Sequence, residues 1–219
     1  MAQNVWHNYF QHYWYFAEEQ VLNATSYMNA RWARVISNLF SPPMVWSILV
    51  FLIAFHYAEN RLQGLMWALT YGIIVCLLPI LFIAWRVHSG KISDLHMKER
   101  QERIVPFLVS IVCAILAWEV LRMMNAPSIL PLIAAVTLAE LIVMLIITFA
   151  WQISMHAMSI SVAVIATGIV FGAAPALFVS PLLPIVGAAR LRLERHTLAQ
   201  VIAGAVVGAL IPLVVLAVM

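Results

Sequence analysis

Long apolar runs alternate with short polar segments along most of this chain. The runs lie at residues 42–58, 62–85, 104–121, 128–151, 157–188 and 198–219. A helix needs about 20 apolar residues to cross the hydrocarbon core of a bilayer. The pattern therefore predicts an all-α protein, a polytopic bundle of transmembrane helices. Pro79 is expected to kink the helix at 62–85 without ending it.

The run at 157–188 determines how many crossings the chain makes. It is too long for one comfortable span and barely long enough for two. Gly172 and Pro175 offer a turn near its middle. As a hairpin this run gives seven crossings, and as one tilted, kinked helix it gives six.

Residues 1–41 differ from the rest of the chain. They interleave aromatic side chains such as Trp6, Phe10 and Trp14 with His, Asn and Glu. This mixture is typical of a helix at the bilayer surface, with its rings at headgroup level. We therefore divide the chain into an interfacial amphipathic segment at 1–41 and a transmembrane bundle at 42–219.

Composition supports a membrane location. Hydrophobic residues make up 64% of the chain and charged residues 10%, so a soluble core could not bury the apolar surface. We expect a multi-pass integral protein of a bacterial cell membrane. The net charge of +3 is concentrated in cations beside the spans, which indicates contacts with lipid headgroups or phosphate and no nucleic-acid partner.

Two acidic residues fall within the apolar stretch 104–151. An unpaired carboxylate is costly in the membrane, so Glu119 and Glu140 are predicted to face the bundle, either protonated or paired. Arg122 lies one turn from Glu119 and should form a local pair with it. Cys76 and Cys113 lie in apolar runs and are interpreted as small buried hydrophobes.

Three polar motifs follow one another between residues 90 and 205. In sequence order they are Lys98-x6-Val105-Pro106, Ile153-Ser154-Met155-His156 and Arg190-x5-His196-x3-Gln200. In order and spacing they resemble the signatures K-x6-R-P, P-S-G-H and S-R-x5-H-x3-D of the type 2 phosphatidic acid phosphatase superfamily. That resemblance implies a membrane phosphatase acting on a lipid phosphate or a prenyl diphosphate.

The resemblance also implies a role for each motif residue. His196 would attack phosphorus and form a phosphohistidine, and His156 would protonate the departing alkoxide. Lys98 and Arg190 would bind the phosphoryl oxygens, and Ser154 would add a neutral donor. No metal or other cofactor is needed. The partners would be the lipid substrate and the surrounding membrane lipids.

The motifs depart from the family pattern at several positions. Gln200 replaces an Asp, so it could orient His196 through a hydrogen bond but not stabilise an imidazolium by charge. Val105 replaces an Arg, for which Arg103 or Arg100 is a nearby substitute. These departures favour an alternative, a catalytically impaired relative that binds lipid headgroups or serves as a structural subunit of a membrane complex.

A shared active site restricts the topology. Two spans separate Lys98 from His156, and His156 and His196 emerge on the same face only if 157–188 is a hairpin. We therefore predict the hairpin, and the positive-inside rule assigns this basic face to the cytoplasm. The polar stretch containing Asp94, His96, Glu99 and Glu102 could gather a cation but is interpreted as a solvated loop.

Overall fold

The computed structural model describes residues 30–93 and 100–218, and that part of the chain contains helices and no strand. The helices run in the following order: α1 Arg31–Leu39, α2 Pro42–Tyr57, α3 Arg61–His88, α4 Ile104–Met123, α5 Ile129–Ala150, α6 Met155–Phe171, α7 Ala173–Val179, α8 Leu182–Arg192 and α9 Leu198–Val218. A 3-10 turn, Arg100–Arg103, leads into α4.

The predicted all-α transmembrane fold is confirmed. Within the described residues, five helical stretches are long and apolar enough to cross a membrane: α3, the 3-10 turn with α4, α5, α7 with α8, and α9. The pair α1 and α2, bent by 44°, makes a sixth if it is one span. A seventh crossing would require α6, whose 17 residues extend only about 25 Å against a hydrocarbon core of about 30 Å.

The stretch 157–188 contains the predicted break. Gly172 has a φ of 96°, which separates α6 from α7. Glycine adopts this conformation at no steric cost because it has no Cβ. Helix α8 then packs back against α6, so the chain reverses within this stretch, as the hairpin predicts, and the stretch is not a single helix. Of its two arms, α7 with α8 is long and apolar enough to cross a membrane and α6 is shorter, so the count of seven crossings stays a prediction.

Helix α3 continues through Pro79 to His88, as predicted. Its distortion is a π-helical stretch, Gly72–Leu77, just before the proline. Pro79 has no N–H to bond to the carbonyl of Val75, and its ring crowds that carbonyl. The wider π-helical turn accommodates this mismatch.

Helix α6 is the central element and is buried along most of its length. Gly204 and Gly208, one turn apart on α9, lie directly on its backbone at Ser154 and Met158. A Cβ at either glycine would overlap a carbonyl oxygen of α6. This small-residue contact, common between membrane helices, brings the N-terminal ends of α6 and α9 together.

Glu119 and Glu140, which lie in the hairpin of α4 and α5, were both predicted to face the bundle, and the structure bears out only one of the two predictions. Glu140 is buried in the bundle, as predicted. Glu119 is not: 51% of its side chain is exposed, and its carboxylate lies 3.8 Å from Arg122. The prediction that Glu119 faces the bundle is therefore wrong, because the last turn of α4 projects it outward. The local ion pair with Arg122 is confirmed.

Helix α1 packs against α8 through its small residues Ala33 and Ser37, both buried. Trp32, Val35 and Leu39 are exposed. The remainder of the proposed interfacial segment, residues 1–29, lies outside the described residues. Its position at the bilayer surface stays a prediction, as does the bacterial membrane.

We predict that Gly208→Ala destabilises the bundle. The new Cβ would press into the carbonyl of Met158, and overpacking of this kind costs about 1–3 kcal/mol. Thermal unfolding in detergent, monitored by tryptophan fluorescence, should show a lower midpoint. Gly72→Ala is the matched control, since nothing lies within 4 Å of its added Cβ. Equal midpoints for the two variants would contradict direct contact between α6 and α9.

Candidate anion site at one end of the bundle

One end of the bundle collects the basic and histidine residues of the motifs. The turn Arg100–Arg103 is anchored there because Nη1 of Arg100 donates to the carbonyl of Ala150, at 3.0 Å. The backbone N–H of Ser154 donates to the carbonyl of Gln200, also at 3.0 Å. The second and third motifs therefore lie on the same side of the bundle, as a shared site requires.

A serine from α1 connects the third motif to the second. Nη1 of Arg190 donates to Oγ of Ser37 at 2.7 Å. Nε2 of His156 lies 3.4 Å from the same Oγ and 3.1 Å from the carbonyl oxygen of Ser37. A carbonyl only accepts, so the shorter contact requires the proton of His156 on Nε2. Arg190, Ser37 and His156 thus form one connected polar group.

Two atoms of this site have no partner. Arg190 is 3% exposed and His196 is 8% exposed, yet Nε of the arginine and Nδ1 of the histidine make no hydrogen bond. Among the residues that the structure describes, no carboxylate forms an ion pair with Arg190. Burying an unpaired charge is strongly unfavourable. Within the described residues the guanidinium thus has a hydrogen-bond partner in Ser37 but no counter-ion, which makes it a candidate anion-binding group.

The surroundings of His196 keep it neutral. Burial lowers the pKa of its imidazole from 6.5 to about 4, with further lowering by Arg190 and Arg103 and a smaller effect from Arg195. Hydrogen bonding to Gln200 opposes the shift only in part. The imidazole consequently has a free electron pair at pH 7.

The structure distinguishes Arg100 from Arg103, the two arginines near the position where the resembled motif has an arginine and this chain has Val105. Arg103 is buried and lies close enough to His196 for its charge to lower that pKa. Arg100 is exposed and bonded to Ala150 instead. Arg103 is thus the substitute that reaches the site. Lys98 lies outside the described residues.

Gln200 and Ser154 have structural contacts beside their predicted roles. Oε1 of Gln200 accepts from the N–H of Thr197 at 2.9 Å, and the hydroxyl of Thr197 accepts from the N–H of Gln200 at 3.4 Å. This reciprocal capping box begins α9. Ser154 caps α6, its hydroxyl accepting from the N–H of Ala157 at 3.3 Å. Its donation to a phosphate stays a prediction.

Sequence reasoning missed Ser37, and it assigned no role to Arg195, whose charge also lowers the pKa of His196. Ser37 was grouped with the interfacial segment, although its spacing of four residues from Ala33 puts two small residues on one helix face, a pattern of close helix packing. Likewise, Thr197 and Gln200 have the T-x-x-Q spacing of a capping box, so the start of α9 was readable from the sequence.

Asp94, His96 and Glu99, the alternative cation cluster, also lie outside the described residues. Glu102, the fourth member, accepts from the N–H and the hydroxyl of Ser93, at 2.9 and 2.8 Å. This contact ties the start of the 3-10 turn to the end of the preceding loop.

Comparison of this chain with protein-family models, with characterised proteins and with solved structures finds no match. The geometry of the site and the spacing of its motifs are therefore the basis for a functional assignment.

We predict that acidification destabilises the folded protein through His196. The folded-state pKa of about 4 lies below the usual 6.5, so the unfolded chain binds the proton more readily between these pH values. This contribution is complete above pH 6.5 and is lost as the pH falls to 4, by at most about 3 kcal/mol. Thermal unfolding across this pH range should show the loss in the native protein and a smaller one in His196→Gln. Equal pH profiles would contradict the buried, neutral state of His196.

Proposed function

We propose that this protein is a membrane phosphatase that hydrolyses a lipid phosphate or a prenyl diphosphate through a phosphohistidine intermediate on His196. The observation that carries the proposal combines two groups: a buried Arg190 with no carboxylate partner among the described residues, and a neutral His196 that has an unpartnered ring nitrogen. The first group binds an anion, and the second supplies a nucleophile. The motif spacing that resembles the phosphatase superfamily gives independent support.

The reaction would proceed in two displacements. An electron pair of neutral His196 attacks phosphorus, while the bond from phosphorus to the leaving oxygen breaks and its electrons pass to that oxygen. Protonated His156 would donate a proton to the departing alkoxide. Water then attacks the phosphohistidine and passes a proton to the now neutral His156, while the phosphorus–nitrogen bond breaks; this step releases inorganic phosphate and restores both histidines.

The arginines would stabilise the charge on the transferred group. Nε of Arg190 has no competing partner, and Arg103 lies in the same buried environment. Fixed donors of this kind act strongly where water is excluded. Arg195 adds positive potential at the same end of the bundle. No step of this scheme needs a metal ion.

The position of the site favours a lipid as substrate. The residues lie at the ends of the membrane helices, in the turn before α4 and the loop between α8 and α9. A phosphate bound there would be at headgroup level, and an attached chain would extend along the exposed apolar helix faces. A water-soluble phosphate ester would gain nothing from those faces.

A second candidate, a non-catalytic relative, shares the anion site. Gln200 caps α9 and has no charge with which to stabilise an imidazolium. Val105 has no side-chain donor, whereas an arginine at its position could bind phosphate through two N–H groups. Such a protein would bind anionic headgroups or form part of a membrane complex. The two candidates differ in turnover and agree in anion binding.

The following comparison separates them. Purified protein should release phosphate from a panel of lipid phosphates and prenyl diphosphates in the presence of EDTA. His196→Ala should lose at least about 1,000-fold in kcat because it removes the nucleophile. His156→Ala should lose about 100-fold or more, the typical contribution of a general acid. Acid quenching should trap an acid-labile phosphoprotein in the native protein only.

His56→Ala is the matched control. His56 is exposed at the far end of α2, where it packs on Phe171, so its loss should leave kcat unchanged. Equal phosphate release by the native protein and His196→Ala would end the enzymatic proposal. Retained phosphate binding with no turnover would instead establish the non-catalytic candidate.

A further inference from the structure

We infer that α1 is a lid over the anion site, and that the hydroxyl of Ser37 occupies the position taken by a phosphate oxygen when the lid opens. This inference rests on the anion site of the proposed function. It adds that the helix before the first apolar run controls access to that site, so that lid closure and phosphate binding exclude each other.

First, Ser37 takes up hydrogen-bond donors that a bound phosphate would use. Its Oγ accepts a 2.7 Å hydrogen bond from Nη1 of Arg190, and its backbone carbonyl accepts from Nε2 of His156. Both donors belong to groups that the proposed reaction directs at phosphate. A charged oxygen binds a guanidinium more strongly than a neutral hydroxyl does. A phosphate oxygen would therefore compete effectively for the place of Ser37.

The second step concerns space. Ser37 is 1% exposed, and Arg190, His156 and His196 are also buried. A phosphate cannot contact these side chains together while Ser37 lies between Arg190 and His156. Helices α6 and α9 are held by direct backbone contacts at Gly204 and Gly208, so they are poorly suited to move. Among the described elements, α1 covers the site through Ser37.

The third step concerns the hinge. Helix α1 ends at Leu39, and the chain bends by 44° before α2 begins at Pro42. Pro42 and Pro43 have no N–H, so the hydrogen-bond ladder of α1 cannot extend across this junction. The N–H of Ser41 bonds back to the carbonyl of Asn38 at 3.3 Å, whereas its carbonyl accepts from the N–H of Val45 in the first turn of α2, at 3.0 Å. Helix α1 can rotate about this junction without breaking any hydrogen bond within α2.

The outer face of α1 supplies a surface for the open state. Trp32, Val35 and Leu39 are exposed, whereas Ala33 and Ser37 face α8. An amphipathic helix of this type is stable at a membrane interface. Detachment from α8 would therefore leave α1 on the bilayer surface, beside an incoming lipid headgroup.

Two measurements test the lid. The first uses Ser37→Cys in a background where Cys76 and Cys113 are replaced by alanine, with the rate of alkylation by a charged maleimide as readout. Inorganic phosphate or orthovanadate should raise this rate several-fold, and chloride at equal ionic strength should not. Asn38→Cys is the matched control, because Asn38 is already exposed and its rate should not change.

The second measurement is the affinity of the full-length protein for inorganic phosphate. Ser37→Ala removes the competing oxygen, so the dissociation constant should fall several-fold. If Ser37 were a fixed ligand of the phosphate, the same substitution would raise the dissociation constant. The two ideas thus predict opposite signs, and the affinity does not depend on turnover.

Specific outcomes overturn the lid. Phosphate binding together with unchanged or slower alkylation of Ser37→Cys would exclude it and leave the anion site intact. Weaker phosphate binding by Ser37→Ala would exclude it as well. If the native protein and Arg190→Ala bound phosphate equally or not at all, the anion site of the proposed function would fall, and the lid with it.

Discussion

The buried guanidinium of Arg190 is the constraint on which the rest of this site depends. With no carboxylate paired to it among the described residues, it attracts the nearest available oxygen, the hydroxyl of Ser37. Its charge also contributes to holding His196 neutral. Arg190 therefore acts both on the docking of α1 and on the pKa of the imidazole, for which burial is the larger cause. A neutral side chain at this position would remove the hydrogen bond from Arg190 to Ser37 on α1 and one of the charges that act on His196.

The backbone contact between α6 and α9 positions the segments that carry His156 and His196 beside each other at one end of the bundle. Because glycines at 204 and 208 allow the two helices to touch, the N–H of Ser154 reaches the carbonyl of Gln200. The start of α6, which carries His156, is thereby fixed beside the loop that carries His196. The same enclosure explains why α6 can be only 17 residues long, since protein rather than lipid covers most of its surface.

Much of the fold could be predicted from the sequence because hydropathy alone marks a membrane span. The apolar runs end within a few residues of the observed helices, and Gly172 marks the break between α6 and α7 because only its conformational freedom suits that turn. The arrangement of the site was harder to predict from the sequence. Whether Arg103 or Arg100 points inward depends on the phase of a short 3-10 turn, and no hydrophobic period reports that phase. The burial of Ser37 depends on a distant partner, Arg190, which local pattern cannot reveal. Glu119 was predicted to be buried because a carboxylate is costly in a membrane. It is exposed instead, because it lies in the last turn of α4, where it pairs with Arg122.

Gln200 stands where the motif that this chain resembles has an aspartate, and the charges around it give that difference a physical consequence. A carboxylate at position 200 would lie near Arg190, Arg103 and Arg195, the same charges that act on His196. It would pair with these arginines and raise the pKa of the imidazole. It would also cancel part of the positive potential that attracts a phosphate. The amide retains the capping of α9 and a hydrogen bond to the histidine without neutralising the arginines. If the protein is the phosphatase proposed above, glutamine at this position would favour a stronger anion site over stabilisation of an imidazolium, which would suit a nucleophile that is neutral before substrate binds.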